Sequence, residues 1–206
     1  MASAIIHISV AKKVNDVLKR NPKQLYLGTI APDISKFIGR TKNESHFIFG
    51  MKDVPNLGKF KEKYPDFVDN DFLLGYYIHL YTDKVWFLYF VKSFMTNSKI
   101  KMLDGTVIQA DPDLRRKALY NDYTNLNVDL ISHYNLDLSL FYEEIEYPTV
   151  PFDEIPLDRL SVIVNQMGVI IKNSTESKTY ILDIEDIIKF IDDTAEKIIN
   201  EINGWH

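Results

Sequence analysis

The spacing of hydrophobic residues indicates helices over most of the chain. Between positions 6 and 18 they recur every three or four residues, which is the repeat of one helix face. Ser3 can cap this helix at its start, and Asn21-Pro22 is expected to end it. The most apolar segment, from about 72 to 95, predicts a long buried helix that begins near Asp69 or Asn70.

The second half of the chain continues the helical pattern after one short interruption. Asp104-Gly105 lies between two short alternating runs, which is typical of a small β-hairpin. Asp111 and Pro112 are residue types preferred at the start of a helix, and we expect that helix to run to about His133. Two further helices are predicted at about 154–172 and 183–203.

The region before the long helix is predicted to be less regular. Residues 24–34 predict a short helix followed by a turn, because Ala31 precedes a proline whose ring disfavours helical dihedral angles at that residue. Residues 35–70 are polar and interrupted by glycine and proline, so we expect a loop with short helical pieces. A loop of this length in a small domain usually has a functional reason.

Composition and charge narrow the class of protein. The 206 residues suit one domain, 1–206, and the helical pattern predicts an all-α bundle with a small hairpin insertion. A net charge of -5 without a basic stripe argues against binding to duplex nucleic acid. The chain has no cysteine, so any metal must be held by nitrogen and oxygen ligands. Charges interrupt the apolar segment and no signal peptide is visible, so we expect a cytoplasmic protein without a transmembrane segment.

The long apolar helix contains a histidine and a carboxylate in its most hydrophobic part. His79 and Asp83 are four residues apart, so they lie on one face of the helix, one turn from each other. A buried, ionised carboxylate is costly unless it is paired or bound to a cation. Histidine and aspartate at this spacing can both ligate a metal. The simpler alternative is a buried ion pair between them.

Three other residues in the first 50 positions can complete a metal site. His7 lies on the inward side of the first helix, Asp33 follows an Ala-Pro pair, and His46 lies in the loop. Together with His79 and Asp83 they can hold one divalent ion, or two ions that share a carboxylate. As alternatives to metal ligation, His7 would be a core histidine, Asp33 a turn aspartate and His46 a surface histidine.

The motifs around these residues resemble a known family. Three stretches, LGTIAPD ending at Asp33, SHF around His46 and LGYYIHLYTD ending at Asp83, are together with His7 similar to the zinc-dependent phospholipase C family of bacteria. The resemblance covers about residues 3–90. It implies an all-helical fold that this family shares with fungal single-strand nucleases. It also implies one ion held by Asp33, His46, His79 and Asp83, and an adjacent ion held by His7, with Asp83 as the bridging carboxylate.

The resemblance implies a further ion, which two histidines and a glutamate hold in that family. The second histidine and the glutamate are four residues apart, in the pattern His-x-x-x-Glu. The nearest match here is His133-x-x-x-Asp137, and a partner histidine is missing. We therefore predict two Zn²⁺ ions, with His133 and Asp137 as candidate additional ligands. Fe²⁺ and Mn²⁺ are alternatives, because neutral imidazoles and carboxylates suit them too. The alternative for His133 is a cation at a helix C-terminus, which the helix dipole favours.

The chemistry implied is hydrolysis of a phosphoester. A pair of ions roughly 3.5–4 Å apart binds phosphate oxygens and lowers the pKa of a bridging water. Asp33 or Asp122 is the candidate acceptor of the water's proton, and Arg40 and Lys84 are candidates for contact with the phosphate. The expected substrate is a small phosphoester or a phospholipid head group. The alternatives are a solvated or tyrosine-bonded Asp122 and solvated charges at Arg40 and Lys84.

A non-catalytic metal-binding protein is the competing interpretation. Its metal would be structural, or its site would have degenerated, and the incomplete additional ion site favours this alternative. An ion enclosed by four protein ligands would support it, whereas a coordination position open to solvent would argue for catalysis.

Overall fold

The computed structural model describes residues 1–49, 54–144 and 146–205 of the chain. Eight α-helices and one two-stranded hairpin lie within these ranges, together with short 3₁₀ segments. This confirms the all-α fold with a small hairpin insertion that the sequence predicts. The helices are α1 (Ala4–Leu18), α2 (Pro22–Ile30), α3 (Lys42–Ser45), α4 (Leu57–Lys63), α5 (Asp71–Val85), α6 (Pro112–His133), α7 (Ser161–Asn173) and α8 (Ile184–Asn203).

The helix starts agree with the capping residues identified in the sequence. Ser3, Asn70 and Asp111 each accept a backbone N–H hydrogen bond through the side chain at the start of α1, α5 and α6. Such a bond satisfies one of the donors that a helix start leaves without a partner. Helix α1 ends earlier than predicted, at Leu18, because Lys19 adopts a left-handed conformation with φ 56° and so terminates the helix.

One local prediction is wrong. Ala31 has helical dihedral angles, φ -56° and ψ -40°, and a 3₁₀ helix (Ala31–Phe37) continues directly from α2. Pro32 lies in the first turn of this 3₁₀ helix, where the missing N–H of proline is tolerated. The tertiary packing therefore overrides the local preference of a residue before proline, and Asp33 lies in a helical turn.

The long apolar segment is α-helical only in its first part. Helix α5 ends at Val85, and a π-helical turn (Trp86–Phe90) and a 3₁₀ turn (Val91–Ser93) continue it. π-helical turns often occur near functional sites, and this one follows closely after Asp83. Among the helices of the described ranges, none is both long and apolar enough to cross a membrane.

The hairpin forms where the Asp-Gly pair predicts it. Strand β1 (Lys99–Lys101) pairs antiparallel with β2 (Val107–Gln109), and Lys101 lies opposite Val107. Gly105 occupies the turn with φ 87°, a conformation that glycine adopts at little cost.

Helices α2 and α5 pack against each other with unusually close backbones. A Cβ atom on Gly28 would lie 2.0 Å from the carbonyl oxygen of Phe72, and a Cβ on Gly75 would lie 2.0 Å from the carbonyl oxygen of Leu25. Neither position has room for a side chain. Helix α1 contacts α2 and α5 and also α8. Helices α1, α2 and α5 therefore form the centre of the core.

We expect Gly28→Ala to force α2 and α5 apart, because the new methyl group meets a rigid backbone carbonyl. Overpacking of this kind costs about 3 kcal/mol, which thermal or urea unfolding would measure. Gly168→Ala in α7 is the matched control, since its Cβ would make an ordinary contact at 3.6 Å with Tyr142. The control should stay within about 1 kcal/mol of the wild type. Equal stability of both variants would contradict the close packing.

Candidate metal centre

Four segments bring the five predicted ligands together in the core. His7 comes from α1, Asp33 from the 3₁₀ helix after α2, His46 directly follows α3, and His79 and Asp83 come from α5. Their side chains are 0% to 11% exposed. Residues far apart in the sequence thus form one buried cluster of imidazoles and carboxylates.

The first group of candidate ligands is formed by Asp33, His46 and His79. The Nε2 atoms of the two histidines are 3.3 Å apart, and Asp33 Oδ1 lies 3.4 Å from the Nε2 of His46 and 4.0 Å from that of His79. Asp83 Oδ2 lies 3.7 Å from both Nε2 atoms and is the fourth candidate. A tetrahedral ion with ligands at about 2.1 Å separates them by roughly 3.4 Å, so the spacing suits one ion.

The second group is formed by His7, His79 and Asp83. His7 Nε2 lies 3.3 Å from Asp83 Oδ1, and the rings of His7 and His79 are stacked with centroids 3.9 Å apart. Asp83 therefore directs one oxygen towards His7 and the other towards the first group. This is the arrangement that a bridging carboxylate requires.

Hydrogen bonds determine which nitrogen of His79 can bind a metal. Its Nδ1 lies 2.8 Å from the carbonyl oxygen of Thr29, and a carbonyl can only accept, so Nδ1 carries the proton. The Nε2 atom is left with a lone pair directed at the cluster. Since one nitrogen is free, His79 can ligate one ion at a time, although it belongs to both groups.

A serine relay orients His46 in the same way. Its Nδ1 lies 2.9 Å from Ser45 Oγ, which lies 2.8 Å from Ser35 Oγ, and the Ser35 hydroxyl donates to the carbonyl oxygen of Pro32 at 3.1 Å. If each hydroxyl donates towards that carbonyl, Ser45 accepts from Nδ1 of His46. Outer hydrogen bonds of this kind are typical of metal-binding histidines.

The inner atoms of the cluster lack partners that a protein normally provides. Within residues 1–49, 54–144 and 146–205, no hydrogen bond reaches Asp33 Oδ1, Asp83 Oδ2 or either ring nitrogen of His7. The facing lone pairs of His46 and His79 also repel unless a proton or a cation lies between them. One shared proton would leave the carboxylate oxygens unpaired at a considerable cost, whereas a divalent cation would pair Asp33 Oδ1 and Asp83 Oδ2 together with the Nε2 atoms of His46 and His79.

The electrostatics of the cluster favour the protonation states that a metal needs. Burial alone would raise the pKa of Asp33, but Lys36, His46 and His79 outweigh it and hold that pKa well below its usual range. Burial is likewise outweighed at Asp83, where contact with His7 depresses the pKa. Burial and the ring of His7 lower the pKa of His79 well below its ordinary value. Charged carboxylates and a neutral imidazole are the ligating forms.

A pocket of about 500 Å³ reaches the cluster between α1, the 3₁₀ helix, α6 and α7. His7, Asp33 and His79 contribute to its wall. Lys36 also lines it and places its Nζ 2.9 Å from Asp33 Oδ2. Lys36 is absent from the site residues that the sequence predicts, although its spacing of three residues from Asp33 would bring both to one side of a helical turn.

The structure does not bring Arg40 and Lys84 to this pocket. Arg40 is exposed, and Lys84 lines a separate depression together with Lys61 and Glu201. Within the described ranges, neither of them lines the pocket that reaches the cluster. Among the lysines and arginines of the described ranges, Lys36 is the one that lines this pocket.

Asp122 binds backbone instead of lining the pocket. Its Oδ2 accepts hydrogen bonds from the backbone N–H groups of Tyr180, Ile181 and Leu182 at 2.9, 2.7 and 2.9 Å. The carboxylate is buried and holds the segment that leads into α8. This geometry supports a structural role for Asp122.

His133 and Asp137 also lie apart from the cluster. His133 is exposed at the end of α6, with its ring edge-on to Tyr134, and Asp137 is exposed and accepts from the N–H of Ser139 at 3.0 Å. In the part of the chain that the structure describes, neither residue belongs to a group able to hold a metal.

We expect Asp122→Asn to destabilise the fold without changing metal content. The change weakens three charge-assisted hydrogen bonds to a buried segment, at a cost of about 2 kcal/mol. Asp129→Asn is the matched control, because Asp129 is exposed on the same helix. Thermal unfolding and elemental analysis measure both properties. Loss of metal with unchanged melting would instead place Asp122 at the metal centre.

Comparison with known proteins adds no family to this description. No protein-family model matches the chain. No curated protein and no solved structure matches it at a significant level either. The resemblance to phospholipase C therefore stays a prediction, and function is argued from the cluster and its pocket.

Proposed function

We propose that the protein is a metal-dependent phosphoesterase similar to phospholipase C. The observation that carries the proposal is a buried set of unpaired nitrogen and oxygen atoms at the end of a pocket that also contains the ammonium group of Lys36. The ligands would be Asp33, His46, His79 and Asp83. Zn²⁺ is the expected ion, with Fe²⁺ or Mn²⁺ as alternatives.

A first ion with these four protein ligands would mainly hold the cluster together. His7 and Asp83 Oδ1 would offer two ligands to a second ion, which would keep positions open and would supply Lewis acidity for the phosphate and a water of lowered pKa. In this arrangement His79 would bind the first ion alone. Its Nδ1 donates to the Thr29 carbonyl, so only Nε2 has a lone pair for a metal.

Lys36 would hold a phosphate oxygen in the pocket. Burial opposes its charge, but Asp33 raises the pKa of Lys36 above its ordinary value, so the side chain stays an ammonium ion. Asp33 would then use Oδ1 as a ligand and Oδ2 to position Lys36. Its low pKa makes Asp33 a weak proton acceptor, so ligation and positioning are the roles that we assign to it.

The pocket limits the size of the substrate. A volume of about 500 Å³ lies within the range of small-molecule sites. A small phosphoester or a phospholipid head group would therefore suit it.

A structural metal site is the second candidate, and the burial of the ligands favours it. His46, His79 and Asp83 are 0% to 1% exposed, and together with Asp33 they can surround one ion completely. Under this alternative the ion would be retained without any hydrolysis.

The first experiment measures metal content and hydrolysis in wild type and Asp83→Asn. We expect at least one equivalent of a transition metal and chelator-sensitive hydrolysis of bis(4-nitrophenyl) phosphate or 4-nitrophenyl phosphate by the wild type. Asp83→Asn removes a buried charge shared by both ligand groups, so metal, activity and melting temperature should fall together.

Asp71→Asn is the control, because this residue lies at the start of the same helix and accepts from the N–H of Asn21 at 3.1 Å. It should lower the melting temperature slightly and leave the metal in place. A metal-free wild type after growth with zinc, iron and manganese would refute the proposal. Full metal without hydrolysis would favour the structural alternative.

We also expect Lys36→Met to raise the KM for these esters about tenfold, as expected from the loss of one charged hydrogen bond. Arg40→Met and Lys84→Met should leave the KM unchanged, because neither side chain lines the pocket within the described ranges. Steady-state kinetics and elemental analysis of each variant check this. An unchanged KM for Lys36→Met would contradict its contact with phosphate.

A further inference from the structure

The outer ring nitrogens of His46 and His79 meet partners of different kinds. Nδ1 of His79 faces the Thr29 carbonyl oxygen at 2.8 Å, which can only accept a hydrogen bond. Nδ1 of His46 faces Ser45 Oγ at 2.9 Å, and a serine hydroxyl both donates and accepts. The position of the proton on His79 is therefore fixed, whereas Ser45 permits either tautomer of His46.

The inner nitrogen of His46 has opposite requirements with and without a cation. Its Nε2 lies 3.3 Å from the Nε2 of His79, which carries a lone pair, and 3.4 Å from Asp33 Oδ1. Without a cation, these acceptors favour a proton on His46 Nε2, which would donate towards them. A metal ion bound by the first group needs the lone pair of the same nitrogen, so the proton must leave it.

Ser45 can pair with His46 in both states. Its hydroxyl can donate to Nδ1 when that nitrogen carries the lone pair. It can also accept from a protonated Nδ1, because Ser35 Oγ at 2.8 Å and the Lys42 carbonyl oxygen at 3.3 Å are acceptors for its own proton. Ser35 and Ser45 are 3% and 1% exposed, so bulk water does not compete for these hydrogen bonds.

The rings and the backbone do not need to move when the protons change place. The Tyr76 hydroxyl donates to the Ser45 carbonyl oxygen at 2.5 Å, and the N–H of His46 donates to that of Lys42 at 2.8 Å. The distance of 3.3 Å between the two Nε2 atoms is also close to the roughly 3.4 Å that separates two ligands of one tetrahedral ion. One arrangement of heavy atoms therefore suits both a shared proton and a shared metal ion.

We propose that metal binding reverses the tautomer of His46, and that Ser45 permits the reversal by changing from hydrogen-bond donor to acceptor. Without metal, Nε2 of His46 carries the proton and donates to His79. With metal, the N–H bond at Nε2 is broken and one at Nδ1 is formed, while the Ser45 hydroxyl turns to Ser35 or Lys42. The imidazole stays neutral throughout, so His46 releases no net proton.

Ser45 is thus a positioning residue that lets one buried site exist with and without its ion. The inference rests on the candidate metal centre and not on hydrolysis, so it applies to a catalytic ion and to a structural ion alike.

Nitrogen-15 NMR of the histidine rings tests the inference on the full-length wild type. Long-range proton–nitrogen correlation spectra show which ring nitrogen carries the proton. We expect a protonated Nε2 at His46 after treatment with a chelator, and a protonated Nδ1 after addition of Zn²⁺. His79 is the internal reference and should keep its proton on Nδ1 in both states, because the Thr29 carbonyl only accepts.

Three variants test the role of Ser45 through the affinity for Zn²⁺, measured by competition with a chromophoric chelator. Ser45→Ala should weaken binding about tenfold, as does the loss of other partners of metal-bound histidines. Ser35→Ala should cost less, because the Lys42 carbonyl oxygen remains for the Ser45 proton. Ser9→Ala is the matched control and should leave the affinity unchanged, since this buried hydroxyl donates to the Ile5 carbonyl oxygen at 2.8 Å.

The outcomes distinguish this inference from the proposed function. A proton on Nδ1 of His46 in both states, or on both nitrogens without metal, overturns the reversal even if esters are hydrolysed. A wild type that binds no Zn²⁺ overturns it too. A reversal in a protein that hydrolyses no ester supports the inference and counts against the proposed phosphoesterase.

The variants decide the role of Ser45 separately. Unchanged affinity for Zn²⁺ in a folded Ser45→Ala, as judged by its melting curve, overturns that role. The wild-type spectra decide the reversal even if Ser45→Ala does not fold.

Discussion

Burial of the Asp83 carboxylate is the constraint on which the rest of the site depends. Its Oδ1 accepts from the N–H of Ala2 at 2.9 Å and lies 3.3 Å from His7 Nε2, while Oδ2 meets the two Nε2 atoms of the first group. One backbone donor does not offset the loss of water around a full charge. A buried charge of this kind is costly without positive charge nearby, and the surrounding imidazoles and carboxylates could hold a cation.

The close contact between α2 and α5 makes this arrangement possible. Gly28 and Gly75 let the two backbones approach each other, and the Thr29 carbonyl thereby comes within 2.8 Å of His79 Nδ1. A wider separation would remove the acceptor that determines the tautomer of His79. The close packing of the two backbones thus also orients His79, so Gly28 and Gly75 bear directly on the candidate metal centre.

The parts predictable from sequence were those with a short-range cause. The spacing of His79 and Asp83 places both on one helix face, and the caps and the Asp-Gly turn follow from local chemistry. Ala31 was mispredicted because tertiary packing outweighs the preference of one residue before proline. The sequence offers Asp122 as one candidate proton acceptor, because no local signal indicates that its partners are backbone groups of residues 180–182.

Lys36 shows a second limit of prediction from sequence. It is an ordinary polar residue of its helical turn, and its place at the cluster comes from its contact with Asp33. The candidate ligands are visible in the sequence because a histidine or an aspartate is an unfavourable residue type in an apolar segment. A residue that lines a pocket carries no such signal until the pocket exists.

The orientation of His79 also bears on the choice between a catalytic and a structural metal. Because its Nδ1 donates to the Thr29 carbonyl, His79 cannot bridge two ions, and the two ligand groups cannot both be complete. The first ion would receive four protein ligands, whereas a second ion would receive only His7 and one oxygen of Asp83. An ion with so few protein ligands keeps positions for water or phosphate. Catalysis would therefore depend on the second, weaker position next to the pocket, and the first ion would mainly hold Asp83 in place.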